Sequence, residues 1–485
     1  MTIFKKLSAF MLAIMLLSTS CQENYLDINE DPNNPANATV ETVLPAAINS
    51  VAFTIGGQWQ ILGELWAQHW TQSPGANQYA NIDNYNINET TFNRQYIEIY
   101  AGALNDFNYV SKTAEENNNW NYYLIAEVMK AYTFQIMVDL YDDIPYTEAL
   151  SGLENKNPKF DKGANVYADL IKKIDNALSK DLSAATSKSL GKEDIIFQGV
   201  MDNWIRFANT LKLKIYMRQS EINPSVASAG ITSLFQNSAT FLNTDAEMAE
   251  FIDVQNFRNP FYAAQVSSAG SGRGYTDIVA SNTLLNYLQN NGDPRLDAIY
   301  STPKEGGAHV GINQGDYTNA SFKSARELSQ PNIAATTPVV LISAAESKFL
   351  QAEAVIRYSV AGDAEQLYNE GIEESFAKLE VDNASNYYGT DNVYEFPSTS
   401  PEDQLDAILT QKWIAFANYQ GLEAHFEHLR TGYPNFLTAT PNNVTGDVSP
   451  KRLPYPTTEL NNNSENVQQA GGQKQVIERI WWDPS

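Results

Sequence analysis

Residues 341–379 read LISAAESKFLQAEAVIRYSVAGDAEQLYNEGIEESFAKL, and the rest of the chain is understood outward from them. Ser343 precedes Glu346 by three positions, the spacing of a capping box. There the hydroxyl takes one orphan backbone donor of a helix start and the carboxylate reaches back to another. Ala345, Phe349, Ala352 and Ile356 then recur every three or four residues, which places them on one helical face. Gly362 is expected to supply the left-handed residue past the helix end, and Asp363 to cap a second helix. That helix carries Tyr368, Ile372, Phe376 and Leu379 on its apolar side. The small Ala352 and Ala354 predict a close approach of the two.

A hairpin of this length, the size of one tetratricopeptide repeat, cannot bury its apolar face alone and needs stacked neighbours. Helical periodicity recurs over about 40–71, loosened at Gly56 and Gly57, and again over 92–115, 120–141 and 198–220. Ala126-Glu127 precedes Tyr132 by the same offsets as Ala352-Glu353 precedes Tyr358. Tyr167, Ile171 and Ala177 echo the second helix, so 120–180 reads as a degenerate copy of the hairpin. From about 221 to 340 periodicity gives way to Asn, Gly, Ser and Pro, except for short helices near 226–236 and 281–291. A span of that length inside a compact domain is usually functional. One long helix is predicted from Ser400-Pro401 to Arg430, with an irregular tail from 435. The expected fold is mainly α: a superhelix of tetratricopeptide-like pairs over about 40–220 and 341–430 that carries a loop-rich insertion. Residues 21–485 are expected to form one domain.

With 57 acidic and 32 basic side chains, the formal charge is −25. No basic footprint exists to displace counterions from phosphates, so nucleic acid is excluded as a partner. Abundant Asn, Gln, Ser, Thr and Tyr suit a neutral polar ligand. Residues 1–20 read as a leader: Lys5 and Lys6, an apolar run from Leu7 to Leu17, then Ser18, Thr19 and Ser20 before Cys21, the only cysteine. This order predicts cleavage before Cys21 and its lipidation as the mature N-terminus. Residues 25–35, YLDINEDPNNP, alternate Asp and Asn as an EF-hand loop does. Pro32 replaces the required glycine and Ala38 the required glutamate, so a turn is expected there instead of a calcium site.

The leader with Cys21, YLDINEDPNNP, GDPRLDAIY (292–300), AESKFLQAEA (345–354), LTQKWIAFANYQGLEAHFEHLRTGYP (409–434), RLPYP (452–456) and WWD (481–483) together resemble the SusD/RagB family, in its divergent SusD-like branch. The resemblance spans nearly the whole mature chain. It implies four tetratricopeptide-like helical pairs, an outer-membrane lipoprotein facing the exterior, and no enzymatic activity or cofactor. It also implies a partner, a TonB-dependent β-barrel transporter (SusC-like), to which the protein presents oligosaccharides or, in some members, peptides. His425 stands where the family usually has tryptophan, and no ligand contact of the family's starch-binding founder maps onto this chain by motif.

Catalytic motifs are weak. His425 and His428 lack metal-site spacing, and no metal site is expected. Asp142-Asp143 precede Ile144-Pro145 as turn carboxylates more readily than as a glycosidase pair. GSGRG (270–274) lacks the lysine and hydroxyl of a phosphate loop. The remaining chemistry is aromatics among amides in loops. Sugars stack their C–H faces on aromatic rings while amides and charged groups take the hydroxyls. Asn77, Tyr79, Asn81, Asp83 and Tyr85 in the 72–91 loop, with Arg273 and Tyr275, are therefore the expected ligand contacts. Trp59, Trp66 and Trp70 are assigned to the core.

Overall fold

Among the described residues the first helix is α1 (Val40–Ile55), and after the Gly56-Gly57 break the chain resumes as α2 (Gln58–Trp66). This is a computed structural model, and it describes residues 38–265, 277–318 and 321–484. The leader, Cys21, the 25–35 turn, the GSGRG stretch, Arg273 and Tyr275 lie outside the described residues.

A helical turn (Asn93–Ile97) and a π-helical segment (Glu98–Leu104) lead into α3 (Asn105–Glu116). Then come α4 (Trp120–Tyr141), α5 (Gly163–Leu178), α6 (Met201–Met217) and α7 (Pro224–Gln236). The loop-rich region holds α8 (Asn282–Asn290). Beyond it lie α9 (Ala344–Tyr358), α10 (Ala364–Lys378), α11 (Pro401–Phe416) and α12 (Gly421–Thr431). The predicted 341–379 hairpin is α9–α10.

Among the described residues consecutive helices pack as α3–α4, α4–α5, α6–α7 and α9–α10, while α11 lies chiefly against α9 and α12 against α2. The hairpin's two faces go to different neighbours. Ala345, Phe349, Ala352, Tyr368, Ile372 and Phe376 form one apolar cluster with Ile408 of α11. Leu350 and Ala354 join Leu213 and Met217 of α6 and Ile231 of α7 in another. The related pair at 120–180 is thus not its direct neighbour, because α6–α7 stands between them.

Several local expectations are corrected. Ser343 Oγ accepts the Glu346 amide at 3.0 Å. Glu346 does not reach back, because its carboxylate is buried against Lys214 Nζ at 3.0 Å and accepts from Gln420 Nε2 at 2.5 Å. The left-handed residue ending α9 is Ser359, with φ 50°, one turn earlier than Gly362. The close approach within the hairpin comes from Gly371, where a Cβ would fall 2.6 Å from the Phe349 ring.

The single helix expected over 400–430 is two, α11 and α12, because the chain breaks at Asn418. That residue is left-handed (φ 71°), buried, and held from three directions. Trp70 Nε1 donates to its Oδ1 at 2.8 Å, its own Nδ2 donates to Ile299 O at 2.7 Å, and Gln60 Nε2 donates to its carbonyl. Asparagine tolerates the left-handed region better than most residues.

Among the described residues sheet consists of short antiparallel pairs, beside one isolated parallel bridge between Ser281 and Ile312. The pairs join β1 (Trp70–Gln72) to β5 (Ile278–Ala280), β2 (Ile144–Pro145) to β3 (Phe160–Asp161), β4 (Ala246–Met248) to β8 (Val339–Ile342), and β6 (Tyr300–Ser301) to β7 (Gln330–Pro331). Of these, β1–β5 joins the loop-rich region to the chain just past α2, whereas β4–β8 and β6–β7 tie that region to itself.

Beneath the pairs lies a buried lattice of charge. Arg218, the residue that caps the end of α6, bonds Glu423 and Glu427 of α12 and lies 3.4 Å from Asp139 of α4. Lys214 pairs with Glu346 and Glu423. Arg430 grips Glu353 at 2.8 Å and Glu427 at 2.6 Å, and Lys412 adds a third cation on Glu427. Burial pushes the Glu427 carboxyl up, yet Arg430, Lys412 and Arg218 overcome it and hold the group well below the usual range.

Candidate ligand-binding face

β1 aligns Trp70, Thr71 and Gln72 with Ala280, Val279 and Ile278, which fixes where the 72–91 loop leaves the scaffold. Gln72 Oε1 accepts the Tyr79 amide at 2.7 Å and so curls the chain back. A helical turn follows at Ala80–Asp83, whose Ile82 carbonyl accepts Trp66 Nε1 at 3.2 Å. Asp83 is fully buried. Its Oδ2 accepts from Thr71 Oγ1 at 2.8 Å and the Gln72 amide at 2.9 Å, and its Oδ1 accepts from Gln314 Nε2. Burial outweighs those donors and raises its pKa to about 6. Tyr85, 2% exposed, accepts the Thr440 amide on its hydroxyl, and Tyr79, 5% exposed, accepts from Gln265 Nε2.

Three expected contacts are therefore corrected. Tyr79 and Asp83 are buried and held by hydrogen bonds within the protein, and Tyr85, equally buried and bonded to the Thr440 amide, reaches only the edge of the groove that the loop forms with the C-terminal tail. Asn77 and Asn81 remain, both exposed. Phe261 is buried against Trp70 at a centroid distance of 4.7 Å. Tyr262 and Tyr317 are half-buried. Trp59, Trp66 and Trp70 lie in the core.

The second half of the loop is pinned to the C-terminal tail. Val444 N donates to Asn84 O at 3.0 Å and Thr457 N to Glu89 O at 3.0 Å. Between them opens a groove of about 360 Å³, lined by the 85–89 turn, Val444, Thr445, Pro454 and residues 473–477. Four amides, Asn86, Asn88, Gln473 and Gln475, share it with Tyr85, Ile87, Val444, Pro454, Val476 and Ile477, and its only charges are Glu89 and Lys474. Sequence periodicity could not find the tail half of this wall, because the tail has no period and its partners lie more than three hundred residues away.

The other chemical candidates are structural. Asp142 Oδ1 accepts the Trp481 amide at 2.9 Å, and Arg452 lies 3.5 Å from its Oδ2. Asp143 pairs with Lys162 at 2.5 Å. The Trp66 and His425 rings lie 5.0 Å apart, and burial, with the neighbouring His428, lowers the His425 pKa to about 3. Among the described residues no three His, Cys, Asp or Glu side chains gather as metal ligands.

A family model described as starch-binding and associating with the outer membrane, of SusD-like type, matches residues 32–456. Among solved structures, a SusD homologue from Bacteroides uniformis is 24% identical with a TM-score of 0.77, over 91% of this chain and 99% of its own. A chitin-binding protein is 25% identical with a TM-score of 0.77, over 92% and 100%. A chitin-binding SusD homologue from Flavobacterium johnsoniae is 21% identical with a TM-score of 0.77, over 92% and 98%. No curated protein matches the sequence.

Proposed function

The chain belongs to the SusD-like family, and from that premise we propose that it captures oligosaccharides at the cell surface and presents them to a TonB-dependent outer-membrane transporter. The carrying observation is the amide-lined groove between the 85–89 turn and the 473–477 tail, with the exposed Asn77 and Asn81 on the same loop. Paired amide donors and acceptors match the hydroxyls of a neutral polymer, and the balanced charge of Glu89 and Lys474 attracts no strongly ionic one. The chitin-binding names of two similar structures support a glycan as the ligand class. Cys21, acylated after leader cleavage, anchors the protein in the outer membrane. It binds without hydrolysing.

Native electrophoresis in gels containing glycol chitin, starch or other soluble polysaccharides tests this. Retardation by at least one glycan is expected. Asn77→Ala, Asn81→Ala and Asn88→Ala should each weaken it by roughly 2- to 10-fold, the worth of a neutral hydrogen bond. Retention of full retardation by all three variants would remove this face, peptide binding without glycan binding would change the ligand class, and released reducing sugar would make the protein an enzyme.

A further inference from the structure

A second cavity, of about 350 Å³, lies on the helical scaffold between α3, α4, α5 and the 146–151 turn, and it shares no lining residue with the loop groove. α4 packs against both α3 and α5, so it forms the floor and the other two helices form opposite walls. Phe134 and Tyr146 meet edge to face there at 4.8 Å, and the half-buried Tyr146 is fixed by donating its hydroxyl to Asp169 Oδ2 at 2.8 Å.

Three lysines reach this cavity, one from each helix. Lys130 of α4 is committed to Glu127 at 2.8 Å. Lys112 of α3 and Lys173 of α5 are exposed at the rim, and neither has an ion-pair partner among the described residues. With Glu127 and Asp169 the lining carries three cations against two anions, in a chain whose formal charge is −25. Other clefts differ: the one beside Tyr433 balances three of each sign, and the one beside Tyr394 holds three carboxylates.

We infer that this cavity is a binding site for a monosaccharide acid, a pyranose ring bearing a carboxylate. The volume falls within the range of small-ligand pockets. An aromatic pair at the floor suits a C–H ring face, and Ser151 Oγ and Thr147 Oγ1, which donate to Glu148 O and Asp161 Oδ2, keep acceptor lone pairs for the ring's hydroxyls. The carboxylate takes the place between Lys112 and Lys173, where charge-assisted hydrogen bonds are about twice as strong as neutral ones. This site does not depend on the loop groove's being the capture face.

Saturation-transfer NMR and calorimetry with galacturonate and glucuronate, against galactose and glucose, test the assignment on the mature chain. The acids should bind roughly tenfold or more tightly than their neutral parents, and less tightly as salt rises. The Lys112→Met/Lys173→Met double variant keeps the aliphatic stems and should lose about tenfold for the acids, while Lys112→Arg/Lys173→Arg retains binding. Asn88→Ala should leave the acids unaffected, and the double variant should leave polysaccharide retardation unaffected. Equal binding of acid and neutral sugar, or an unchanged double variant, would overturn the site. Binding of an acidic peptide with no binding of the free sugar acids would make the cavity a protein-docking site and overturn it too.

Discussion

Asp83 carries a proton at a pH where an ordinary aspartate has lost it, and its sign can be worked through. Its folded pKa is about 6 against 3.8 for the free side chain, with burial as the first cause. The folded state therefore holds more protons than the unfolded one between those values, so the stability this residue gives falls as pH rises through that window and stays lost above it. Asp139, likewise raised to about 6 by burial despite Arg218, acts in the same direction. His425 acts oppositely. Its pKa is lowered to about 3, so the unfolded chain binds the extra proton below 6.5, and stability falls as pH drops through that range. Asp83→Asn removes one carboxylate and leaves the histidine untouched. Its unfolding free energy relative to the parent should improve by up to roughly 3 kcal/mol between pH 4 and pH 7. Urea midpoints at the two pH values measure this, and a difference independent of pH would refute the buried protonated carboxyl.

At the scale of elements, α2 and α12 touch backbone to backbone. A Cβ at Gly63 would lie 2.0 Å from the Leu422 amide nitrogen, and one at Gly421 would lie 2.4 Å from that of Glu64. Main chain cannot swing aside as a flexible side chain can, so Gly63→Ala must part the helices. Overpacking of that kind costs about 1–3 kcal/mol. Gly102→Ala is the matched control, since its Cβ would meet only the Ser50 hydroxyl at 3.2 Å. Denaturant melts should show Gly63→Ala clearly destabilised and Gly102→Ala close to the parent. Since Ala is the better helix former, equal losses at both positions would mean that the Gly63–Leu422 contact is not what sets the cost. The Asn418 break belongs to the same scale: α11 and α12 are separate because Trp70, Gln60 and Ile299 hold the turn between them.

Across the whole molecule, the motifs that mark the family are the ones that bury charge. Arg295 of GDPRLDAIY bonds Asp293, Ser375 and Gln411. Glu346 and Glu353 of the 345–354 run, and Lys412, Glu423, Glu427 and Arg430 of the 409–434 run, are the lattice joining α6, α9, α11 and α12. Arg452 of RLPYP lies under the Tyr455 ring at 5.3 Å, and Trp482 of WWD donates to Asp139 at 2.7 Å. Buried charges must be paired, so each fixes its partner's identity and leaves a legible mark in sequence. Ligand contacts on exposed loops carry no such constraint. The proposed anchoring belongs to this scale as well: Cys21→Ala should move the protein from the outer-membrane to the soluble fraction with its fold unchanged, as judged by fractionation and circular dichroism. Retention in the membrane would refute the acylated anchor.

By itself the sequence determined the helical pairs, the Ser343 and Asp363 caps, the core tryptophans and the family, because those rest on local periodicity and on residue types that burial restricts. Only the tertiary structure decided that α6–α7 separates the two related pairs, that Glu346 faces Lys214 instead of its own helix start, and that the predicted helix over 400–430 breaks. It also decided that Tyr79, Asp83 and Tyr85 belong to the loop's interior while Asn77 and Asn81 face out. A loop has no period to say which way its side chains point. Their direction is set by partners such as Gln314, Thr440 and Gln265, brought close only when the distant parts of the chain pack together.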